Sequence, residues 1–132
     1  YYSSEGLTQN KEIQSIEKDL CIPHRCYLPE ILQLIKNNIK INGLCHITGG
    51  GLHENLDRVI PENLSVSFYQ SELDNAYPNW CSVIQKATSM SLEEMYRVYN
   101  CGIGFVLIVS PEMIEKIVDD KIFEFRKIGV VV

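Results

Sequence analysis

The sequence predicts an α+β fold, in which a mixed sheet of about four strands has roughly four or five helices packed on it. Apolar residues recur at helical spacing in several segments, and short apolar runs of strand length separate those segments. Proline or glycine stands at most of the boundaries between them. The composition, 45% hydrophobic and 22% charged over 132 residues, is typical of one folded domain and excludes a disordered chain.

The first third of the chain is divided into a polar lead-in, a helix and a strand. Residues 1–20 form the lead-in, within which Ile13, Ile16 and Leu20 have the spacing of a short helix, and residues 21–132 form the single domain. After an extended segment, Pro29 begins a helix, as a proline at the first helical position does. The apolar face of that helix consists of Ile31, Leu32, Leu34, Ile35 and Ile39. Residues 41–47 are apolar and predict a buried strand.

The remaining elements alternate between helices and strands. In order, they are a helix over 52–60 ended by Pro61, a half-exposed strand over 64–69, a loop to Pro78, a helix around 80–87, a helix after Ser91, a central strand over 103–109, a helix from Pro111 and a strand over 123–132. Val66 and Phe68 alternate with serines, which is the pattern of a strand with one exposed face. Ser91 followed by Glu94 predicts a capping box.

The charge balance and the hydropathy pattern exclude two kinds of partner. The chain has 12 basic and 17 acidic residues, a net charge of −5, whereas a nucleic-acid surface needs clustered lysine and arginine. No apolar run approaches the ~18 residues that a membrane span needs. The first residues lack the pattern of a signal peptide. The abrupt start and the strand-like end predict a piece cut from a longer chain.

The five cysteines predict reduced thiols and a cytoplasmic protein. Their number is odd and no two are spaced as Cys-x-x-Cys. Cys21, His24 and Cys26 do not have the spacing of a zinc site, so no metal ligand is predicted. Cys101 has no histidine partner at a suggestive spacing, and it is interpreted as a buried thiol.

The segment His46-Ile47-Thr48-Gly49-Gly50-Gly51 carries the strongest functional signal. Three consecutive glycines between a strand and a helix are costly in conformational entropy. Such a junction directs peptide N–H groups at one point, which suits a phosphate. A tight structural turn explains the pattern equally well, and the motif is neither a P-loop nor Gly-x-Gly-x-x-Gly.

Three further side chains are candidates for binding an anion. His46 is either an acid, base or phosphate donor, or a hydrogen-bonded strand-end residue. Arg25, in an apolar-flanked extended segment, fits both a buried ion pair and a phosphate clamp. Asn100 either shapes the connection into the following strand or offers its amide to a ligand.

These residues lie in blocks that resemble the C-terminal domain of phosphoribosylformylglycinamidine cyclo-ligase, also called AIR synthetase. One block is His46-Ile47-Thr48-Gly49-Gly50-Gly51-Leu52, continued by Glu54-Asn55 and by Arg58-Val59-Ile60-Pro61. A second block runs from Glu94-Met95-Tyr96-Arg97 to Tyr99-Asn100-Cys101-Gly102-Ile103-Gly104. A third is Pro23-x-Arg25-x-Tyr27, where His24 replaces the usual threonine and Cys26 the usual isoleucine. Lys127-Ile128-Gly129 resembles the last strand of the family, so that the likeness extends from about Leu20 to the end.

The resemblance implies an enzyme of de novo purine biosynthesis with a layered α/β/α, partly ferredoxin-like domain. The family closes the imidazole ring of formylglycinamidine ribonucleotide with ATP, and the products are aminoimidazole ribonucleotide, ADP and phosphate. ATP and Mg²⁺ are held mainly by an N-terminal ATP-binding domain that these residues do not include. The full-length enzyme is a homodimer, and the isolated domain is expected to be inactive.

The resemblance also places residues in the cleft between the domains. Thr48, Gly49, Gly50, Gly51 and Asn55 are assigned to a phosphate loop, with His46, Arg25 and Asn100 as further cleft residues. No catalytic residue is assigned. The alternatives are another ATP-dependent enzyme of the same superfamily, such as formylglycinamidine ribonucleotide synthetase or selenophosphate synthetase, and a non-catalytic interaction module.

Overall fold

The computed structural model describes residues 11–119 and 123–132, and within them the chain forms seven helices and four strands. The helices are α1 (Lys11–Leu20), α2 (Leu28–Lys36), α3 (Gly51–Asp57), α4 (Gln70–Ala76), α5 (Asn79–Thr88), α6 (Leu92–Val98) and α7 (Pro111–Asp119). The strands are β1 (Ile41–His46), β2 (Val66–Phe68), β3 (Phe105–Val109) and β4 (Gly129–Val131). The predicted mixture of helices and strands is confirmed, with more helices than expected.

The strands pair differently from the prediction. Instead of one mixed four-stranded sheet, the described residues form two antiparallel pairs, β1 with β3 and β2 with β4. In the first pair His46 faces Phe105, and in the second Phe68 faces Gly129. The strand predicted over 123–132 forms only at its end, because only there does the backbone meet β2. Strand partners are chosen by tertiary packing, which periodicity alone does not encode.

The β1–β3 pair lies between two apolar clusters. Val106 and Ile108 of β3 pack against the larger cluster, which is built mainly from α3, α4, α5 and α6. Leu107 and Val109 pack against a smaller cluster, formed by Leu34, Ile39 and Ile117. Alternate side chains of one strand therefore contact opposite layers. All five β3 residues are only half-buried, and within the described ranges β3 pairs with β1 alone, so the prediction of a central strand is wrong.

Several local predictions are confirmed. The Ser91 side chain and the Glu94 side chain cap α6 reciprocally, as the capping box predicts. Pro29 lies in the first turn of α2, and Pro111 begins α7. Ile16, within the lead-in, is buried at 1% exposure, and α1 packs against α5. The first ten residues of that lead-in lie outside the described residues.

One helix, α4, replaces a predicted loop. It has seven residues and a single buried apolar side chain, Leu73, so its sequence shows no apolar face of several turns. The five cysteines are free, with Cys45, Cys81 and Cys101 buried and the other two exposed. No helix in the described ranges is both long and apolar enough to cross a membrane.

Candidate functional site

The glycine segment forms a tight turn that joins β1 to α3. After His46, the backbone N–H of Ile47 donates to the carbonyl of Gly104 at 3.0 Å, which holds the strand end next to the segment before β3. The N–H of Gly51 then donates to the carbonyl of Thr48 at 3.0 Å and closes the turn. Gly50 and Gly51 have φ angles of 94° and 61°, values that side chains disfavour.

The space around the three glycines differs. A Cβ on Gly51 would overlap the backbone carbonyl of Tyr96, so α3 and α6 meet there at a distance that excludes any side chain. A Cβ on Gly50 would stand 2.6 Å from a carboxylate oxygen of Glu54. A Cβ on Gly49 would meet nothing within 4 Å, and Gly49 and Thr48 are exposed. Turn geometry and packing explain why positions 50 and 51 are glycine. They do not explain Gly49, which lies on the open side of the loop.

The side chain of Asn55 holds the loop by hydrogen bonds to its carbonyl oxygens. It is 5% exposed, and its Nδ2 donates to the carbonyl of Gly51 at 2.7 Å and to that of Gly49 at 3.2 Å. The amide thus binds loop carbonyls rather than facing outward. Within the described ranges, the peptide N–H groups of Gly49 and Gly50 donate to no acceptor. The turn therefore has two peptide N–H groups available to a ligand.

One ion pair lies beside the loop. The Nε of Arg97, at the end of α6, is 3.6 Å from a carboxylate oxygen of Glu54 on α3. Both side chains are at least half exposed, so the pair contributes little stability. It does place a negative charge next to Gly50. An anion bound to the loop would be opposed by Glu54 and attracted by Arg97.

The extended segment 23–27 crosses the end of the β1–β3 pair. The Tyr27 ring lies 5.2 Å from that of Phe105, and the His24 ring lies 4.7 Å from that of His46, edge to face. A Cβ on Gly104 would overlap the Tyr27 hydroxyl, so only glycine admits this segment. The block that contains Arg25 and the block that ends at Gly104 are thereby joined to the strand that leads into the glycine loop.

Arg25 is engaged in an ion pair. Its guanidinium pairs with Glu30 of α2 and lies 5.6 Å from the centre of the Tyr27 ring. A backbone hydrogen bond within Glu30, and then the bond from Arg25, lower the pKa of the Glu30 carboxyl. The side chain of Arg25 is 63% exposed and that of Glu30 is 13% exposed, so the pair is half-buried and not the fully buried pair considered from the sequence. The alternative role as a phosphate clamp remains a prediction.

Asn100 shapes the turn before β3. Its Oδ1 accepts a hydrogen bond from the N–H of Gly102 at 3.2 Å, and a Cβ on Gly102 would overlap the carbonyl of Ala76. Cys101 is fully buried, and its thiol donates to the carbonyl of Met95 at 3.4 Å. These contacts give the Asn100 block a structural role, and none of them connects the Asn100 side chain to the glycine loop.

The structure thus brings some candidates together and not others. His46 and the Arg25 segment meet near Gly104, at the end of the strand that leads into the loop, whereas His53 packs 5.3 Å from Phe68. His24 and Phe105, whose rings contact His46 and Tyr27, were not among the predicted candidates, although His24 was visible as a departure from the resembled pattern. Two surface hollows of the described residues, one lined by Glu72 and Arg126 and the other by Ile35 and Leu44, include no loop residue.

The match to known proteins covers the whole chain. Residues 1–132 match the family described as AIR synthase related protein, C-terminal domain. The chain belongs to this family. The glycine turn, the segment across the strand ends and Gly104 are accordingly features of an AIR synthase-related C-terminal domain.

Curated relatives agree with the family. The chain is 37% identical to the phosphoribosylformylglycinamidine cyclo-ligase of Finegoldia magna, over 83% of this chain and 31% of that protein. It is 43% identical to the protein of the same name from Lactococcus lactis subsp. cremoris, over 75% of this chain and 28% of that protein. It is 32% identical to the protein of the same name from Streptococcus pneumoniae, over 96% of this chain and 37% of that protein. The AIR synthase-related domain therefore spans about a third of the length of these relatives.

Proposed function

We propose that this chain is the C-terminal part of a phosphoribosylformylglycinamidine cyclo-ligase. The whole enzyme would close the ring of formylglycinamidine ribonucleotide with ATP and form aminoimidazole ribonucleotide in de novo purine biosynthesis. The names of the relatives and the family support this proposal. The carrying observation is the open loop at Gly49, which has two N–H donors without an acceptor in the described ranges and follows the strand that ends at His46.

The chemistry of ring closure requires phosphate binding more than a protein nucleophile. Transfer of a phosphoryl group to the formyl amide oxygen converts a poor leaving group into phosphate, and a nitrogen of the amidine then attacks to close the ring. Positioned donors are the main contribution of a protein to such a step. In this chain, the loop 48–51 would bind a phosphate of one of the two substrates, and Asn55 would hold the loop in place.

The residues around the loop suit a phosphate better than a metal ion. Mg²⁺ is bound through carboxylates together with substrate phosphates. Glu54 is the carboxylate that lies against Gly50, and no group of three or more potential ligands occurs within the described ranges. We therefore assign Mg²⁺ and most of the ATP contacts to the part of the enzyme outside this chain.

The remaining features of the whole enzyme follow from the same proposal. It would be a cytoplasmic homodimer in which this domain packs on its own N-terminal domain, with the boundary of the domain near residue 21. The two layers of helices around the β1–β3 pair support a layered, partly ferredoxin-like arrangement. Thr48, Gly49 and Gly50 would face the cleft, together with His46, Arg25 and Asn100.

The test is a charge placed on the open side of the loop. Gly49→Asp, in the full-length protein that contains this chain, adds a carboxylate where the structure has room for a side chain. We expect kcat/KM for ring closure to fall at least about tenfold, because the carboxylate opposes bound phosphate. Gly49→Ala controls for the side chain, and Asn42→Asp on β1 controls for the same change of charge. Unchanged kinetics for Gly49→Asp, with the fold intact, would contradict the loop assignment.

A further inference from the structure

Two histidines form a pair at the end of β1, and one of them, His24, stands where the resembled pattern has threonine. The rings of His24 and His46 lie 4.7 Å apart, edge to face, and both residues are exposed. His46 ends β1, two residues before Thr48. His24 lies against Gly104, since its Cε1 is 3.1 Å from the position of a Cβ there, and the carbonyl of Gly104 binds Ile47. The pair thus lies at the end of the strand that leads into the glycine loop.

The hydrogen bonding of His24 determines what its free nitrogen does. Its Nδ1 is 3.2 Å from the carbonyl oxygen of Arg25, and since a carbonyl accepts, Nδ1 carries the proton. In the neutral ring, Nε2 is then an acceptor. Nε2 becomes an N–H donor when the ring is protonated, and the cation then attracts phosphate.

The cation next to the histidine pair is already engaged in an ion pair. Arg25 is paired with Glu30, so the nearest guanidinium is already neutralised by a carboxylate. The other groups that contact the pair are the Tyr27 ring, 5.9 Å from His24, and the Phe105 ring of β3, 6.0 Å from His46. Neither ring is a cation, so an anion next to the pair would be met by the two imidazoles, while Glu54 and Arg97 are the charged groups beside Gly50 of the loop.

We propose that His24 is a phosphate-binding residue of this chain, and that it acts with His46 as a pair of imidazole donors at the end of the strand that leads into the glycine loop. The ligand class is a phosphate monoester or a terminal nucleotide phosphate. The proposal rests on the proposed phosphate loop and adds a specificity-determining residue to it. With a bound phosphate, the protonated ring of His24 supplies a charged N–H donor through Nε2.

The experiment is an NMR titration of the 132-residue chain, with ribose 5-phosphate in one arm and ATP in the other. The chain has three histidines, so their ring signals are assigned with single variants. We expect the signals of His24 and His46 and the amides of Gly49 and Gly50 to shift together in at least one arm. His53 is the internal control because it packs near Phe68. The arm with the stronger response identifies the source of the phosphate.

The variant series tests His24 itself. His24→Thr, which restores the usual family residue, should weaken binding about tenfold, the effect of losing one charge-assisted hydrogen bond. His24→Gln keeps an N–H donor without the charge and should show an intermediate loss.

The outcomes separate this inference from the proposed function. If the glycine amides respond and His24→Thr binds phosphate as wild type does, the role of His24 is wrong and the loop assignment stands. If the histidines respond and the glycine amides do not, the pair binds phosphate and the loop assignment is wrong. If neither responds in either arm, both are overturned.

Discussion

The side-chain amide of Asn55 donates a 2.7 Å hydrogen bond to the carbonyl of Gly51, the first residue of α3. The same nitrogen lies 3.2 Å from the carbonyl oxygen of Gly49 and so ties α3 to the loop before it. A residue that the sequence placed among the phosphate contacts therefore binds carbonyl oxygens of the loop. The N–H groups of Gly49 and Gly50 have no acceptor within the described ranges.

Replacement of Asn55 should destabilise the loop and the fold together. Asn55→Ala removes the side-chain donor to the buried carbonyl of Gly51 and to the carbonyl of Gly49, and we expect a loss of about 1–3 kcal/mol in the free energy of unfolding. Urea denaturation followed by circular dichroism measures it. Asn42→Ala, at an exposed position of β1, is the matched control. Equal stability of the two variants would show that the amide does not hold the loop.

Alanine at two positions of the same loop should have opposite consequences. Gly51→Ala puts a Cβ into the backbone of Tyr96 at a residue with a positive φ. We expect the free energy of unfolding to fall by about 2–4 kcal/mol. Gly49→Ala puts a Cβ into open space and should change stability by no more than about 0.5 kcal/mol. Thermal unfolding of both variants checks this, and a large loss for Gly49→Ala would mean that the loop packs differently.

The capping box of α6 predicts a dependence of stability on pH. Hydrogen bonds from the backbone and then the side chain of Ser91 lower the pKa of the Glu94 carboxyl below its ordinary 4.5. Because this pKa is lower in the folded than in the unfolded chain, the stabilising contribution is complete above pH 4.5 and is lost as the pH falls through the lowered pKa. Unfolding free energies of wild type and Glu94→Gln should therefore converge in acid and separate near neutral pH. If the unfolding free energies of the two proteins differ by the same amount at every pH from acid to neutral, the prediction is wrong.

Residues 1–132 alone should not close the imidazole ring. The chain spans about a third of the relatives named as cyclo-ligases, and the described residues contain no group of three potential metal ligands. We expect no formation of aminoimidazole ribonucleotide from this chain with ATP and Mg²⁺, and activity only in the full-length protein. ATP-dependent turnover by the chain alone would place the complete catalytic centre within it.

Local chemistry made much of this fold predictable. Ser91 and Glu94 have the residue types and the spacing of a cap, so the start of α6 follows from four neighbouring residues. Pro29 and Pro111 mark helix starts for a similarly local reason. The helix α4 was missed because Leu73 is its one buried side chain, and a single apolar position has no period.

The sequence by itself determined the class of the domain, the family blocks and the position of the glycine loop, since these depend on residue types at short separations. The tertiary structure decided which strands pair and which glycines are required by packing. It also placed His24 beside His46, more than twenty residues away along the chain. The physical reason is that a short-range pattern records backbone preference and an apolar face. A contact across Gly104 depends on how separate segments pack, and only folding brings them together.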